Sequence, residues 1–283
     1  MQTVRTIAQL RQCMADWRAE GLRVGLVPTM GGLHQGHISL VREAAVQADR
    51  VVATLFVNPT QFAAHEDLDS YPRDESADAQ QFKDAGAALL FAPPPDVMYP
   101  PGHRTRVMVE QLGSILEGEH RPQFFVGVAT IVTKLLIQAM PDVAVFGEKD
   151  YQQLCVIKAL TRDLDIPVEI VGAPTVRETD GLAMSSRNGY LSAVQRACAP
   201  ALYANLCRVA DATLAGGDVQ QTCTEAADRL RAAGFDDIDY ITLCDAETLA
   251  PIERLDASAP ARALAAAWLG KTRLIDNLAV TPG

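Results

Sequence analysis

The first apolar pattern along the chain has the period of a helix. In TIAQLRQCMADWRAEG, Ile7, Leu10, Met14 and Trp17 follow one another at spacings of three and four, so they share one helix face. Gly21 stands after the last turn, where glycine commonly ends a helix. The segment therefore predicts an amphipathic helix near the N-terminus.

Short, continuous apolar runs come next, and helical stretches separate them. Uninterrupted runs of this length are typical of strands buried on both faces of a parallel sheet. The regular alternation of strand and helix predicts an α/β fold with a Rossmann-like, doubly wound parallel sheet. The predicted strands cover residues 23–27, 50–57, 87–92, 142–146 and 167–171, and helical patterns cover residues 126–139 and 150–163.

The pattern changes near residue 175, where we predict a boundary between a Rossmann-like domain, 1–175, and a smaller C-terminal α+β domain, 176–283. In the second domain, ARALAAAWLG is rich in alanine, which favours a helix. Gly270 and Lys271 separate this run from the next apolar run, as in a hairpin, so we predict a strand. The predicted elements are helices at 192–214 and 218–233 and strands at 237–246, 261–270 and 272–280.

The composition excludes several classes of protein. The 25 Lys and Arg against 35 Asp and Glu give a formal net charge of -10, which opposes the positive field of a general nucleic-acid-binding protein. The six cysteines lack CxxC or Cys/His spacing, so we expect no zinc site, no disulfide framework and a reducing cytoplasm. No apolar run approaches the ~20 residues of a membrane span and no leader pattern is present, so we expect no membrane partner.

The stretch LVPTMGGLHQGHISLV joins a predicted strand to a predicted helix through a glycine-rich turn. The first amides and the dipole of such a helix favour an anion, and Gly31 and Gly32 would let the backbone approach a phosphate. His34 and His37 form an HxGH pattern, which is neither the Walker loop nor GxGxxG. We interpret this turn as a phosphate-binding element, with its histidines as partners of phosphate and not of a metal.

Three further segments carry polar side chains close to the ends of predicted elements. In FVNPTQF, Pro59 stiffens a turn after a predicted strand. This turn directs Gln61 toward the crevice at the carboxyl ends of the strands, where the HxGH turn also lies. Lys149 in FGEKDYQQ and the MSSRN segment at 184–188 supply cations and hydroxyls. Taken singly, these segments also fit an ordinary loop, a solvated surface lysine and a polar interdomain loop.

Together, the motifs resemble those of a known family. HxGH at the first strand-to-helix turn is similar to the HIGH-type motif of the nucleotidyltransferase superfamily, and MSSRN is similar to the second, Lys/Ser-rich loop of that superfamily. The resemblance becomes specific to the pantothenate synthetase family, the pantoate:β-alanine ligases, because four motifs occur in its order and approximate spacing. The likeness continues to the closing segment AAWLGKTRLIDN. The four motifs are PTMGGLHQGH, FVNPTQF, FGEKDYQQ and DGLAMSSRNGYL.

The resemblance implies an enzyme that condenses (R)-pantoate with β-alanine and converts ATP to AMP and pyrophosphate through a pantoyl adenylate. It also implies a homodimer and a C-terminal domain that closes over the active site. Mg²⁺ would be held mainly through the ATP phosphates, with no protein ligand. An ionised carboxylate needs no general base for the first step, and the base that deprotonates β-alanine is left open.

The resemblance further implies a role for individual residues. Gln61 would contact both pantoate and β-alanine, and Gln153 would hold pantoate. The residues implied to act in catalysis are His34, His37, Lys149 and Arg187. The residues implied to bind ATP are Met30, Gly31, Gly32, Leu33, His34, Gln35, Gly36, His37, Gly147, Glu148, Lys149, Asp150, Val176, Met184, Ser185, Ser186 and Arg187.

The sequence departs from the family in EHRPQFFVGVAT. Gln123 and Phe124 stand where the family has a small residue followed by His, so the packing of this segment does not follow from the resemblance. The loop AAHEDLDSYPRD keeps the DLxxYPR pattern and resembles a mobile gate over the cleft. We expect Arg73 to brace that loop and not to act in catalysis.

Three other functions share part of the pattern. Another adenylyl transferase would carry HxGH, but it would give no reason for NPTQF and EKDYQQ to occur together. A nucleotide-binding regulator without activity would keep the fold, but the intact histidines, lysine and arginine argue against it. A tRNA-handling protein is disfavoured by the acidic balance and by the lack of a basic accessory domain.

Overall fold

The structure, a computed structural model, describes residues 1–63, 68, 71–256 and 259–281. The chain divides into two compact units. The N-terminal unit comprises Met1–Glu148 and Gln153–Pro174, and the C-terminal unit comprises Lys149–Gln152 and Thr175–Gly283. That each unit is a domain in its own right, with the boundary predicted between residues 175 and 176, stays a prediction.

The N-terminal unit is built on a parallel sheet, to which six strands contribute within the described residues. These strands are β1 (Gln2–Val4), β2 (Val24–Thr29), β3 (Arg50–Leu55), β4 (Leu89–Phe91), β5 (Val143–Gly147) and β6 (Glu169–Ala173). Their order in the sheet is β1-β4-β3-β2-β5-β6, so the direction of strand addition reverses between β2 and β5. The structure confirms the predicted doubly wound α/β fold.

Apolar side chains on the strands explain why this sheet forms. Val27, Leu90 and Val145 are fully buried, as expected for strands that are covered on both faces. Phe82 from a flanking helix joins the same core, and complete burial of such a side chain stabilises the fold by about 1.5–3 kcal/mol. Among the described residues, no helix is long and apolar enough to cross a membrane. The helices up to residue 163 are α1 (Ile7–Ala19), α2 (Gln35–Gln47), α3 (Glu75–Asp84), α4 (Pro95–Met98), α5 (Glu117–His120), α6 (Phe124–Ala139) and α7 (Tyr151–Asp163).

The apolar pattern did not predict every strand. β1 is only three residues long and buries Val4 alone, so its pattern is too short to distinguish from a loop. It exists because Gln2, Thr3 and Val4 pair in parallel with Leu89–Phe91 of β4. A partner that is distant in the sequence therefore decided the conformation of the N-terminus.

The C-terminal unit has an antiparallel sheet, which contains three strands in the described part of the chain. The strands are β7 (Asp237–Asp245), β8 (Ala261–Leu269) and β9 (Thr272–Val280), and the helices are α8 (Ala193–Cys198), α9 (Ala201–Leu214) and α10 (Val219–Ala232). The alanine-rich segment is a strand, as predicted, and it forms a hairpin with β9. The single helix predicted at 192–214 was wrong, because Pro200 lacks the N–H that a continuous helix requires and separates α8 from α9.

Candidate active site

The HxGH turn lies between β2 and α2. His34 is the N-cap of α2, and its Nδ1 accepts a hydrogen bond from the backbone N–H of Gly36 at 3.1 Å. In return, the Nδ1 of His37 accepts from the backbone N–H of His34 at 3.3 Å. The two rings lie 4.1 Å apart between centroids and are tilted by 45°. The histidines therefore form a reciprocal capping box that fixes the start of the helix.

These bonds also determine which ring atoms can donate. A neutral imidazole that accepts at Nδ1 carries its proton on Nε2. In both His34 and His37 the Nδ1 atom accepts a backbone N–H. Each neutral ring therefore has Nε2–H as its donor, which is the polarity required to bind a phosphate oxygen.

A buried carboxylate holds the glycine-rich part of the turn. Asp78 on α3 is 4% exposed, and it accepts hydrogen bonds from the backbone N–H groups of Gly32 and Leu33, both at 3.1 Å. Gly31 has a φ of +93°, and a Cβ at this position would lie 2.7 Å from Leu55 Cδ1 and 2.8 Å from Asp78 Oδ2. Only glycine fits this backbone conformation and this space. The sequence reasoning missed Asp78, because no pattern links it to the turn.

The amides at the start of α2 have partners in the turn as well. The N–H groups of His37 and Ile38 donate to the carbonyl of His34 at 2.8 and 3.2 Å, and the N–H of Gly36 donates to the His34 ring. The expectation that backbone amides of this turn bind phosphate stays a prediction. The assignment of residues 30–37 to ATP stays a prediction.

The end of β5 lies beside this turn in the same unit. β2 and β5 are neighbours in the sheet, and the strand order reverses between them. Ligands of doubly wound sheets bind outside the carboxyl ends of the strands at such a reversal. Gly147 ends β5, and a Cβ added to it would lie 3.9 Å from Leu40 Cδ2 on α2. The structure therefore brings the predicted ATP-binding residue Gly147 next to the helix that carries HxGH.

Gln61 ends a short 3-10 helix, Pro59–Gln61, that follows β3. Its Oε1 accepts from Asn58 Nδ2 at 3.0 Å, and its Nε2 contacts Met30 Sδ at 3.0 Å. The side chain is buried, and both ends of its amide are oriented by neighbours. The structure thus brings together two predicted site residues, Gln61 and Met30, from two different strand ends.

Asn58 is the residue that orients Gln61, and the sequence reasoning missed it. It is 1% exposed, and its Nδ2 also donates to the carbonyl of Gly127 at 3.2 Å. Its Oδ1 accepts from Thr60 Oγ1 at 3.0 Å and from the Tyr99 hydroxyl at 2.8 Å. Burial raises the pKa of Tyr99, and its hydrogen bond with Thr60 lowers it in part. An asparagine directly before a proline is a common start of a turn, and that signal could have identified Asn58.

The segment that departs from the family pattern packs around Gln61. The guanidinium carbon of Arg121 lies 3.8 Å from the centroid of the Phe124 ring, and Arg121 Nη2 donates to the carbonyl of Gln61 at 3.3 Å. Phe124 also makes an edge contact with Phe125, with centroids 4.9 Å apart. The Phe124 ring therefore provides a cation–π surface for the arginine that binds the Gln61 backbone.

Lys149 belongs to the C-terminal unit and lies in a short 3-10 helix, Glu148–Asp150, before α7. Its ammonium is partly buried and lies 3.6 Å from Asp150 Oδ1. Its backbone carbonyl accepts a hydrogen bond from Asn277 Nδ2 at 2.9 Å. Gln153 is half-buried in the first turn of α7. The roles of Lys149, Asp150 and Gln153 stay predictions.

The MSSRN segment follows a short hairpin in the C-terminal unit. The hairpin pairs Arg177 with Ala183, and the N–H of Met184 donates to the carbonyl of Val176 at 3.0 Å. Ser185 then caps a 3-10 helix, Ser186–Tyr190, because its Oγ accepts from the N–H of Arg187 at 3.2 Å. One loop thus carries the predicted phosphate-binding hydroxyls of Ser185 and Ser186 and the guanidinium of Arg187. Their contacts to ATP stay predictions.

Half of the predicted gate, AAHEDLDSYPRD, lies outside the described residues. Of its described part, Arg73 donates from Nη2 to the carbonyl of Leu68 at 2.6 Å. This bond agrees with the expectation that Arg73 braces the loop. Closure of the loop over a ligand stays a prediction.

Comparison with known proteins shows what the whole chain is similar to. The family model described as "Pantoate-beta-alanine ligase" matches residues 2–279. A pantothenate synthetase from Rhodospirillum rubrum is 57% identical over 278 residues, which is 98% of each chain. The similarity therefore extends over both units.

Solved structures agree with this similarity. The crystal structure of a pantothenate synthetase from Thermus thermophilus superposes with a TM-score of 0.93 at 46% identity, and 100% of both chains is covered. A pantoate-beta-alanine ligase from Francisella tularensis, crystallised with beta-gamma ATP and beta-alanine, gives a TM-score of 0.81 at 33% identity over 98% of this chain and 97% of the other. Sequence and fold therefore indicate the same group of proteins.

Proposed function

Because the chain belongs to the pantoate–β-alanine ligase family, we propose that it joins (R)-pantoate to β-alanine and converts ATP to AMP and pyrophosphate. Joining a carboxylate to an amine in water is unfavourable unless the carboxylate first gains a better leaving group. ATP is the substrate that supplies this group. The reaction therefore has two steps with a pantoyl adenylate between them.

In the first step, a carboxylate oxygen of pantoate attacks the α-phosphorus of ATP. A P–O bond forms, the bond between the α- and β-phosphates breaks, and pyrophosphate leaves with its electron pair. Negative charge grows on the leaving phosphates, so catalysis needs positioned donors and cations and does not need a protein nucleophile. We assign the donors to the Nε2–H groups of His34 and His37 and the cations to Lys149 and Arg187.

The observation that carries this proposal is the orientation of Gln61. A buried amide with Oε1 bonded to Asn58 and Nε2 against Met30 has a fixed direction before any ligand arrives. Gln61 also lies against the turn that carries the two histidines, since Met30 begins that turn. An amide can serve as donor and acceptor, so Gln61 suits a hydroxylated carboxylate beside a phosphate-binding turn. We propose that Gln61 and Gln153 hold pantoate and that Gln61 later contacts β-alanine.

In the second step, the amine of β-alanine attacks the acyl carbon of pantoyl adenylate. A C–N bond forms, the bond from the acyl carbon to the phosphate oxygen breaks, and AMP leaves. The ammonium group of β-alanine must lose one proton before it can attack as a neutral amine. Its nitrogen loses a second proton after the C–N bond has formed. Exclusion of water matters in both steps, because water would hydrolyse the adenylate.

Three further features belong to this proposal. Mg²⁺ would neutralise charge on the triphosphate, held by phosphate oxygens and waters. Within the described residues, no group of three or more His, Cys, Asp or Glu could hold a metal ion.

We also propose that the enzyme is a homodimer in the cytoplasm. Light scattering of the purified protein would test the dimer.

Exchange of labelled pyrophosphate into ATP tests the first step directly. We expect exchange with pantoate present and none when it is omitted or replaced by β-alanine. Subsequent addition of β-alanine should release AMP and pantothenate in equal amounts. Exchange that does not depend on pantoate would contradict the proposed substrate and would favour another adenylyl transferase.

A further inference from the structure

Two adjacent polar residues interrupt the apolar pattern of β9. Asp276 is 4% exposed and Asn277 is 3% exposed. Consecutive side chains of a strand point to opposite faces of the sheet. Asp276 shares its face with the alanines of β8 that form the core of the unit, and Asn277 shares the other face with Arg262. One polar pair thus reaches both faces of the small sheet.

Asn277 holds the segment that contains Lys149. Its Nδ2 donates to the carbonyl of Lys149 at 2.9 Å, across a separation of 128 residues. Its Oδ1 accepts from Arg262 Nε at 2.7 Å, which fixes the direction of the amide. The donor atom of Asn277 is therefore aimed at Lys149 by a charged neighbour.

Two other contacts bind the same segment to the sheet. The guanidinium carbon of Arg262 lies 4.0 Å from the centroid of the Tyr151 ring. The Tyr151 hydroxyl donates to the carbonyl of Ala246 at 2.9 Å. Residues Lys149–Gln152 therefore form part of the C-terminal unit although they precede most of α7 in the chain.

Asp276 holds the hairpin that leads into MSSRN. Both of its oxygens accept from Arg177, at 2.6 Å from Nη1 and 2.9 Å from Nη2. Arg177 also donates to the carbonyl of Gly181 at 3.1 Å, and its guanidinium carbon lies 3.5 Å from the centroid of the Tyr203 ring. A bidentate, buried pair of this kind fixes orientation as well as position.

The hairpin in turn fixes the loop that follows it. Asn188 Nδ2 donates to Glu178 Oε1 at 3.1 Å and to the carbonyl of Ala183 at 3.0 Å. The residues Met184–Arg187 lie between these anchors. Asp276 is therefore linked to the predicted phosphate-binding loop through Arg177 and the hairpin.

We infer that Asn277 and Asp276 are positioning residues for the adenylation step, which jointly hold Lys149 and the Met184–Arg187 loop in one fixed arrangement. The inference rests on the proposed function, because it assumes that Lys149 and Arg187 bind the phosphates of ATP. A lysine side chain has many rotamers, and fixing its backbone reduces the freedom that must be lost when it binds.

The sharpest test removes only the bond from Asn277 to Lys149. In Asn277→Asp, an oxygen replaces the Nδ2 donor while the acceptor for Arg262 remains. We expect pantoate-dependent pyrophosphate exchange to fall about 10- to 100-fold, since a small misplacement of a charged group has an effect of this size. Asn277→Ser removes the same donor without adding a charge, and it should lower exchange in the same direction.

A double-mutant cycle distinguishes positioning from a general structural role. If Asn277 acts through Lys149, the double mutant Lys149→Met with Asn277→Asp should exchange pyrophosphate almost as fast as Lys149→Met alone. The difference between these two rates should be less than about twofold. The corresponding cycle for the other face combines Asp276→Asn with Arg187→Met. Losses that multiply fully in both double mutants would overturn the inference.

Leu274→Ala is the matched control, because Leu274 is buried on the same strand and belongs to the apolar core of the unit. It should lower the melting temperature of the C-terminal unit and leave exchange at 25 °C unchanged. Equal losses of exchange in Leu274→Ala and Asn277→Asp would contradict positioning. The proposed function fails separately, if the unaltered chain shows no pantoate-dependent exchange.

Discussion

The HxGH turn and the C-terminal loops hold their predicted phosphate-binding groups by different means. In the turn, the rings of His34 and His37 both cap the start of α2. The His34 ring accepts from the N–H of Gly36, and the His37 ring accepts from the N–H of His34, so both bonds span three residues or fewer. In the C-terminal unit, Lys149 depends on a residue 128 positions away, and Arg177 binds a carboxylate 99 positions away. The two histidines are organised locally, whereas the C-terminal loops are organised by the completed small sheet.

This difference has an energetic consequence. A reciprocal capping box forms as soon as its helix forms, and it fixes only a few backbone angles. Contacts across about a hundred residues form only after long chain segments have been closed, so they depend on the stability of the whole unit. Loss of the long-range bonds of the small sheet should therefore displace Lys149 and Arg187, while loss of one histidine should affect only the turn.

The largest effect is expected for Arg177→Met, which leaves Asp276 buried without its cation. We expect a loss of about 3–5 kcal/mol in the free energy of unfolding of the C-terminal unit. Each unit contains one tryptophan, Trp17 or Trp268. In a Trp17→Phe background, Trp268 emission during denaturation would measure this loss.

The matched control for this change is Arg196→Met, which breaks more exposed ion pairs with Glu178 and Asp180. A loss below about 1 kcal/mol is expected there, because exposed pairs contribute little. If both variants cost the same, the Arg177–Asp276 pair is not the anchor of the hairpin.

The next effect concerns catalysis and separates the two nitrogens of His37. Asn in place of His37 keeps an acceptor near the Nδ1 position but loses the donor at Nε2, whereas Gln keeps a donor near Nε2. We expect His37→Asn to lower the rate of adenylation about 100-fold with little change in ATP affinity, because the contact strengthens as charge develops. Single-turnover kinetics and equilibrium binding of ATP would measure the two quantities.

His37→Gln should recover part of the rate lost in His37→Asn, although it removes the capping contact. The opposite order, with the Asn variant faster than the Gln variant, would mean that His37 serves the local fold of the turn and not the phosphate. Equal losses in rate and in ATP affinity would indicate simple ground-state binding.

The smallest effect is expected for Asp78→Asn. This change keeps one acceptor oxygen for the amides of Gly32 and Leu33 and removes the other. We expect a loss of about 1–2 kcal/mol in the free energy of unfolding of the N-terminal unit. Trp17 emission in a Trp268→Phe background would report it. Asp84→Asn, at the exposed end of the same helix, should cost under about 0.5 kcal/mol.

The order of strands and helices could be predicted because each pattern is local. The strands predicted at residues 50–57 and 142–146 match the observed β3 and β5 to within a few residues. The alanine-rich strand β8 shows how far the local signal extends, since its composition favours a helix and its hairpin partner β9 decides against it. The end of α8 also had a local signal in Pro200, which cannot continue a helix begun before it.

The site could be predicted only as far as its motifs reach. His34, His37, Gln61, Lys149 and Arg187 stand in short motifs with polar residues in unusual places. Asp78, which holds the turn, shows no such pattern, because it is one of three acids on an ordinary helix. Asn58, which orients Gln61, had a local signal as the residue before Pro59. For the Asp276–Asn277 pair a signal did exist, because two polar residues interrupt an apolar strand.

Local patterns in the chain established the alternation of elements, the family and the chemical groups available for catalysis. Periodicity, turn residues and motifs are properties of neighbouring residues, so they can be identified without coordinates. Long-range packing selected which amides of the HxGH turn bond to Asp78 and which residue holds Lys149. These bonds join positions far apart in the chain, and only the burial of both partners selects them from many polar residues of the same type.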